Sequence, residues 1–200
     1  MSHRSIPPQR GFFPQPVYVI GAAAEDGTPC FTLITWITCC GVEPVTLMFS
    51  SRKEKGTPSS VLRTGSFSAS LVSADMVDAA DYFGSTSGHD TRKDIDTGVR
   101  WECGPVTGAP VLEDSPWVFE CSLVGTKEIA GNTVFFGEVK NILVREDLTE
   151  TGYAKLDVPL LNPAVYAPPR YYELGKPIFR VGESLSRFTP LGKPRGSGAA

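Results

Sequence analysis

Hydrophobic and polar positions along the chain follow a strand rhythm far more often than a helical one. PVYVIGAAA (from Pro16) is rich in β-formers and runs into Glu25-Asp26-Gly27-Thr28, where Asp-Gly is a strong hairpin signal. A second run, CFTLITWITCC, is dense in Thr, Ile, Phe and Trp, and a third, VTLMFSS, follows Gly41 to Pro44. Three consecutive strands are expected before residue 52. In SSRKEKGTPSSVLRTG, Thr57 precedes Pro58 as an N-cap precedes a first-turn proline, and Gly65 stands where a short helix should stop. FSASLVS reads as a strand. Ala74 to Phe83 reads as a second short helix, with Met76, Ala79, Ala80 and Phe83 on one buried stripe.

Gly84 to Gly108 reads as loop. Trp117 to Ile129 and Thr133 to Arg145 are long β runs on either side of Ala130-Gly131-Asn132, which predicts a long hairpin of a length that suits a barrel. The segment from Asp147 carries Pro159, Pro163, Pro168, Pro169 and Pro177, and is expected to run over the surface or reach a partner subunit in extended form. No internal repeat or composition break marks a second domain. Pattern alone therefore predicts a mainly β chain with a few short helices, which several barrel and sandwich topologies satisfy.

Composition narrows the function classes. The 200 residues are 41% hydrophobic and 20% charged, as in an ordinary globular domain, and 20 Gly with 17 Pro favour strands and turns over a helical bundle. A net charge of -3 without a Lys/Arg run argues against a nucleic-acid partner. The longest apolar stretches fall well short of the roughly 20 residues that a spanning helix needs. The first 15 residues, MSHRSIPPQRGFFPQ, lack a continuous apolar segment and a small-residue cleavage site, so the cytoplasm is the expected address. Cys30, Cys39, Cys40, Cys103 and Cys121 form an odd set without CxxC, and the two His are His3 and His89; neither a metal site nor a disulfide framework is expected.

One cluster carries candidate chemistry on its own. A phosphate needs backbone N–H donors, hydroxyls and positive charge, and a helix N-terminus at Thr57 beside Ser50, Ser51, Arg52 and Lys53 offers all three. The same residues also suit a plain capped surface helix with solvated charges.

Seven segments, in order, resemble the flavin reductase-like family of FMN-binding split β-barrels, which includes the flavoredoxins. They are PVYVIGAAAEDGTP, CFTLITW, EPVTLMFSSRKEKGTPSSVLRTGSFSASLVS, DYFGSTSGHDTRK, PVLEDSPWVFEC, GNTVFFGEV and RYYELG. The resemblance runs from about Pro14 to Gly182, which gives a domain over 14–182, an N-terminal arm over 1–13 and a C-terminal tail over 183–200. It implies a Greek-key-like split barrel, a homodimer, and one FMN per subunit near the dimer interface. It also implies an NAD(P)H-dependent flavin reductase that passes hydride from NADH or NADPH to flavin N5, with a partner oxygenase or redox protein as one possible acceptor. An electron carrier without NAD(P)H activity and a non-redox split-barrel binding protein are the alternatives.

Site residues follow from the resemblance. Ser50, Ser51, Arg52 and Thr57 would contact the FMN phosphate. The strand Thr32, Leu33, Ile34, Thr35 and Trp36 would line the isoalloxazine, partly through backbone N–H groups, and Trp36 equally suits the core or a dimer seam. Lys93, closing SGHDTRK, would reach a phosphate or the N1/C2=O edge of the flavin. Asn132 falls where flavoredoxins often carry His, and its turn position offers a structural reason of its own. Tyr172, with Tyr171, matches a late aromatic segment that approaches flavin or partner subunit.

The sequence departs from the family at Cys30 (commonly Asn), Leu33 (commonly Thr), Arg92 (often Asp) and Asp94 (often Phe). Glu120 and Glu138 are expected to be interior or interface hydrogen-bonding groups, and Cys39-Cys40 to be buried thiols.

Overall fold

A computed structural model describes residues 3–52, 56–86, 92–153 and 155–186. The first half of the chain forms β1 (Gln15–Pro16), β2 (Tyr18–Ala23), β3 (Pro29–Ile34), β4 (Ile37–Val42), β5 (Val45–Ser51), α1 (Gly56–Thr64) and β6 (Ser66–Leu71). A 3-10 turn (Ala74–Met76) leads into α2 (Val77–Ser85), then α3 (Lys93–Thr97), β7 (Trp101–Cys103) and β8 (Pro110–Leu112). The long strands β9 (Trp117–Ile129) and β10 (Asn132–Val144) precede α4 (Val158–Leu161), β11 (Ala164–Ala167), β12 (Arg170–Glu173) and a last 3-10 turn (Glu183–Ser186).

Seven strands make one antiparallel sheet in the order β3-β2-β6-β9-β10-β5-β4. Its two edge strands, β3 and β4, are consecutive in sequence with only Thr35 and Trp36 between them. Two linking residues can separate Ile34 from Ile37 by at most about 11 Å. The sheet must therefore roll until its edges meet, and they meet without a ladder: β3 and β4 do not pair. The bond from Ser50 N–H to the Trp36 carbonyl (2.9 Å) extends the β4–β5 ladder one residue beyond Ile37, into the link. This is a split barrel, as the sequence suggested.

One core fills the roll, with side chains from both edges of the sheet packed together. Phe49 and Phe135 lie opposite each other in the β5–β10 ladder and stack at 4.6 Å, and Phe67 meets Phe49 edge-on at 5.2 Å. Val61 of α1 enters the same core, so this helix, which carries the chain from β5 across to β6, plugs one side of the barrel. A second core on the outer face of β2 and β3 packs Val19 and Phe31 against Ala80 and Phe83 of α2, and takes in Ala164 of β11.

Several expectations need correction. CFTLITWITCC is two strands, because the chain leaves one sheet edge and joins the other at Thr35-Trp36. Thr57 sits inside the first turn of α1, which begins at Gly56; Gly65, at φ +69°, does end the helix. The stretch expected as loop contains α3 and β7. The long hairpin turns on Ala130 (φ 48°) and Gly131 (φ 82°) alone, so Asn132 already pairs with Ile129 as the first residue of β10. The proline-rich segment is not simply extended: β11 and β12 form a hairpin, and β11 pairs with β1. Cys39 and Cys40 are exposed, since edge strand β4 has a neighbour on one side only and bulges at this point. Of the tail expected over 183–200, residues 187–200 lie outside the described residues.

Glu120 is a fully buried carboxylate in β9. Its Oε1 accepts from the N–H groups of Val106 (3.1 Å) and Thr107 (2.8 Å) and from the Thr107 hydroxyl (3.1 Å), while Oε2 accepts from Asn141 (2.6 Å). It pins the loop between β7 and β8 onto the barrel. Gly104 is required there, because a Cβ would stand 2.3 Å from Glu120 Oε1. Glu138 instead faces outward, paired with Lys140 at 2.6 Å.

Burial alone would raise the Glu120 carboxyl, but the donors from Thr107, Asn141 and Val106 outweigh it and hold the group below its ordinary value. Glu120→Ala orphans all of these donors and is expected to cost about 3 kcal/mol in urea unfolding. Because the folded-state value is the lower one, the carboxylate's stabilisation is complete above about pH 5 and is lost as pH falls through the folded value. The stability gap between wild type and Glu120→Gln should therefore narrow on acidification from about pH 6 to 3.

Candidate functional site

Side chains alternate along β3. Thr32 and Ile34 face the barrel interior and are buried, whereas Leu33 faces outward under α2, where a Cβ on Gly84 would stand 3.2 Å from Leu33 Cβ. Any polar contact from the middle of β3 to a ligand must therefore use backbone. The strand ends at the seam, where Thr35 is half-buried and Trp36 is 41% exposed.

Ser50 and Ser51 close β5, and Ser50 is bonded to Trp36, so the end of β5 and the seam adjoin. Arg52 follows, exposed and without a hydrogen bond or ion pair to any described residue. Lys53 lies outside the described residues. Thr57 is buried in the opening turn of α1, a nine-residue helix whose N-terminal N–H groups favour an anion. Asn132 adjoins this cluster through register: Thr133 pairs with Ser51, which puts Asn132 one step beyond the end of β5.

Lys93 begins α3 rather than standing on an open loop, and is only 7% exposed. Its ammonium donates to the carbonyls of Phe83 (2.7 Å) and Phe31 (3.3 Å), tying α3 to α2 and β3. The rest of the SGHDTRK motif before Arg92, residues 87–91, lies outside the described residues. The structure does not join Tyr172 to the cluster: it is half-exposed on β12, in a different sheet, where Tyr171 packs on Tyr166 and donates to Asp81 of α2 (2.7 Å).

Sequence reasoning missed the link between two of the departures. Arg92 grips Asp94 through Nε (3.1 Å) and Nη2 (2.9 Å), and the Asp94 carboxylate is buried. Burial works to raise the Asp94 carboxyl, yet the Arg92 hydrogen bonds and charge hold it below its ordinary value. The two residues pair with each other, and opposite charges two positions apart were the available signal. Among the described residues no group of three or more His, Cys, Asp or Glu could hold a metal ion, and no helix is long and apolar enough to cross a membrane.

The chain is a split barrel with hydroxyls, a cation and a helix terminus following one another from the end of β5. The model described as "Flavin reductase like domain" matches residues 10–175, and the chain belongs to that family. A flavin reductase (NADPH) of Lentzea aerocolonigenes is 33% identical over 147 residues, covering 73% of this chain and 81% of that protein. Among solved structures, the flavoredoxin of Desulfovibrio vulgaris (Miyazaki F) superposes with a TM-score of 0.83 at 26% identity, over 92% of this chain and 99% of that one. The FMN-binding protein of Thermus thermophilus has the same fold, with a TM-score of 0.74 at 23% identity, over 90% of this chain and 99% of that one.

Because Arg52 is exposed and partnerless among the described residues, Arg52→Ala should leave the unfolding midpoint within about 0.5 kcal/mol of wild type. Chemical denaturation checks this, and a larger loss would give Arg52 a structural role.

Proposed function

We propose that this flavin reductase-like protein binds FMN at the seam and acts as an NAD(P)H-dependent flavin reductase. The observation that supports the reading is the sequence of features at and after the end of β5: Ser50 bonded to Trp36 of the link, Ser51, Arg52, unpaired among the described residues, and Thr57 in the first described turn of α1. Hydroxyls, backbone donors and one cation are what a phosphate monoester requires, so the residues present fit the FMN phosphate. Bound there, FMN supplies the hydride acceptor for the nicotinamide of NADH or NADPH.

The chain's own residues bind and orient. Ser50, Ser51, Arg52 and Thr57 hold the phosphate, and the backbone of Thr32 to Thr35 presents donors and acceptors to the ring. Trp36, exposed at the link, would pack against the ring. Asn132 adds a hydrogen bond but no proton relay near neutral pH. Lys93 fixes β3 against α2 and so sets the width of the site. No nucleophile is required. The 33% identical relative named as an NADPH flavin reductase supports the enzyme reading. In the same reading the domain spans 14–182, with 1–13 an arm and 183–200 a tail. Two copies assemble in the cytoplasm with one FMN each, and electrons pass on to a partner oxygenase or redox protein.

A second reading, an electron carrier without NAD(P)H activity, is favoured by the 0.83 TM-score to a flavoredoxin. Anaerobic stopped-flow separates the two. Rapid bleaching of the FMN-loaded protein by NADH or NADPH is the expected result; bleaching by dithionite alone would establish the carrier. Arg52→Ala and Thr57→Ala should each weaken FMN by about tenfold while changing riboflavin affinity little, as followed by flavin fluorescence titration. Equal losses for both ligands would remove the phosphate assignment.

A further inference from the structure

Edge strand β4 carries the adjacent pair Cys39-Cys40, both free thiols and both exposed. In an unbroken strand neighbouring side chains point to opposite faces, which keeps two adjacent sulphurs from holding one atom between them. The ladder breaks at this pair. Cys39 stands opposite Leu47 and Gly41 opposite Thr46, so one step along β5 is matched by two along β4, and Cys40 is the extra residue of a β-bulge. Leu47 and Thr46, as neighbours on β5, lie on opposite faces. The change of face from Cys39 to Gly41 is thus spread over two residues, which takes Cys40 out of the alternation. No strand covers the bulge, because β4 is paired on one side only. The two sulphurs also feel each other: the Cys39 thiol is pushed above its ordinary value, first by partial burial and then by the Cys40 charge.

The surroundings limit what such a pair takes. A thiol held in its protonated form is a slow target for oxidants, which act on the thiolate. Tetrahedral zinc needs four ligands, and among the described residues no group of three or more His, Cys, Asp or Glu could hold a metal ion. Two thiols suit a soft centre that has two valences to fill. The bed beside them is apolar. Val42 pairs with Val45, on the face that Cys39 shares with Leu47, and the two valines are 89% and 45% exposed.

We propose that Cys39 and Cys40 form a dithiol site for a trivalent organic arsenical, whose arsenic bridges the two sulphurs and whose organic group lies on Val42 and Val45. In water such a compound carries two hydroxyl groups on arsenic. Each S–H bond and each As–OH bond breaks, two S–As bonds form, and each thiol proton leaves on a hydroxide as water. Arsenic stays trivalent, so no oxidant or reductant is needed. Bridging also removes the charge repulsion that opposes ionising both thiols. The inference does not rest on the flavin reading.

Phenylarsine oxide added to the full-length protein without flavin tests it, with mass spectrometry of the adduct and of the cysteines left open to iodoacetamide. One phenylarsenic unit per chain is expected, with Cys39 and Cys40 shielded and Cys103 alkylated as before. Release should need a dithiol such as 2,3-dimercaptopropanol, an equal thiol concentration of 2-mercaptoethanol being ineffective. Cys39→Ser and Cys40→Ser, both at exposed positions, should each weaken binding about a hundredfold, because the second bond is then no longer intramolecular. Cys103→Ser should bind as wild type does. Methylarsonous acid, with less apolar area to place on the valines, should bind about tenfold more weakly. Shielding of other cysteines, release by the monothiol, undiminished binding in either serine variant, equal binding of the methyl compound, or arsenic bridging two chains would overturn the proposal.

Discussion

The two residues Thr35 and Trp36 set the architecture. They join strands at opposite edges of a seven-stranded sheet, and a covalent link of that length leaves the sheet no choice but to roll. Rolling brings Ile34 and Ile37 into one core with Phe49, Phe67 and Phe135. The two edges themselves do not pair, so the barrel stays split along this line.

Buried polar side chains hold the outer pieces to this barrel. Glu120 reaches from β9 to the loop between β7 and β8, and Lys93 reaches from α3 to the carbonyls of Phe31 and Phe83. Both groups lose hydration, and both recover it in hydrogen bonds to backbone, which fixes geometry as well as energy. The Arg92–Asp94 pair does the same over a shorter span. Such clasps explain how so many short elements keep the rim of the site in register without a large helical layer.

The candidate site is assembled from the ends of elements: the last residues of β3 and β5, the first turn of α1 and the first residue of β10. Such positions combine a rigid backbone with open valences, so a flavin-sized ligand could be oriented there without a loop having to fold around it. A cleft at the start of α2 is built on different principles, an apolar floor with a rim of carboxylates. The cleft adjoins both helices that Lys93 joins: Phe83 of α2 and Thr97 of α3 line it, and the Phe83 carbonyl accepts from Lys93.

Local chemistry determined much of this in the sequence. Asp26-Gly27 marks a real hairpin, with Thr28 bonding back to Asp26, because the turn needs only its own residues. Gly65 stops α1 for the same reason, and the long β9–β10 pair was legible from periodicity. The order of motifs identified the family, and with it the hydroxyls and cation around Arg52. What tertiary structure alone decided involves partners distant in sequence. A one-dimensional pattern could not show that CFTLITWITCC crosses between sheet edges, since the run has strand composition throughout. Nor could it show that Lys93 donates to the carbonyls of Phe31 and Phe83, or that Cys39 and Cys40 stand exposed on an edge. Each of these depends on which surfaces the rolled sheet brings together and which it leaves open.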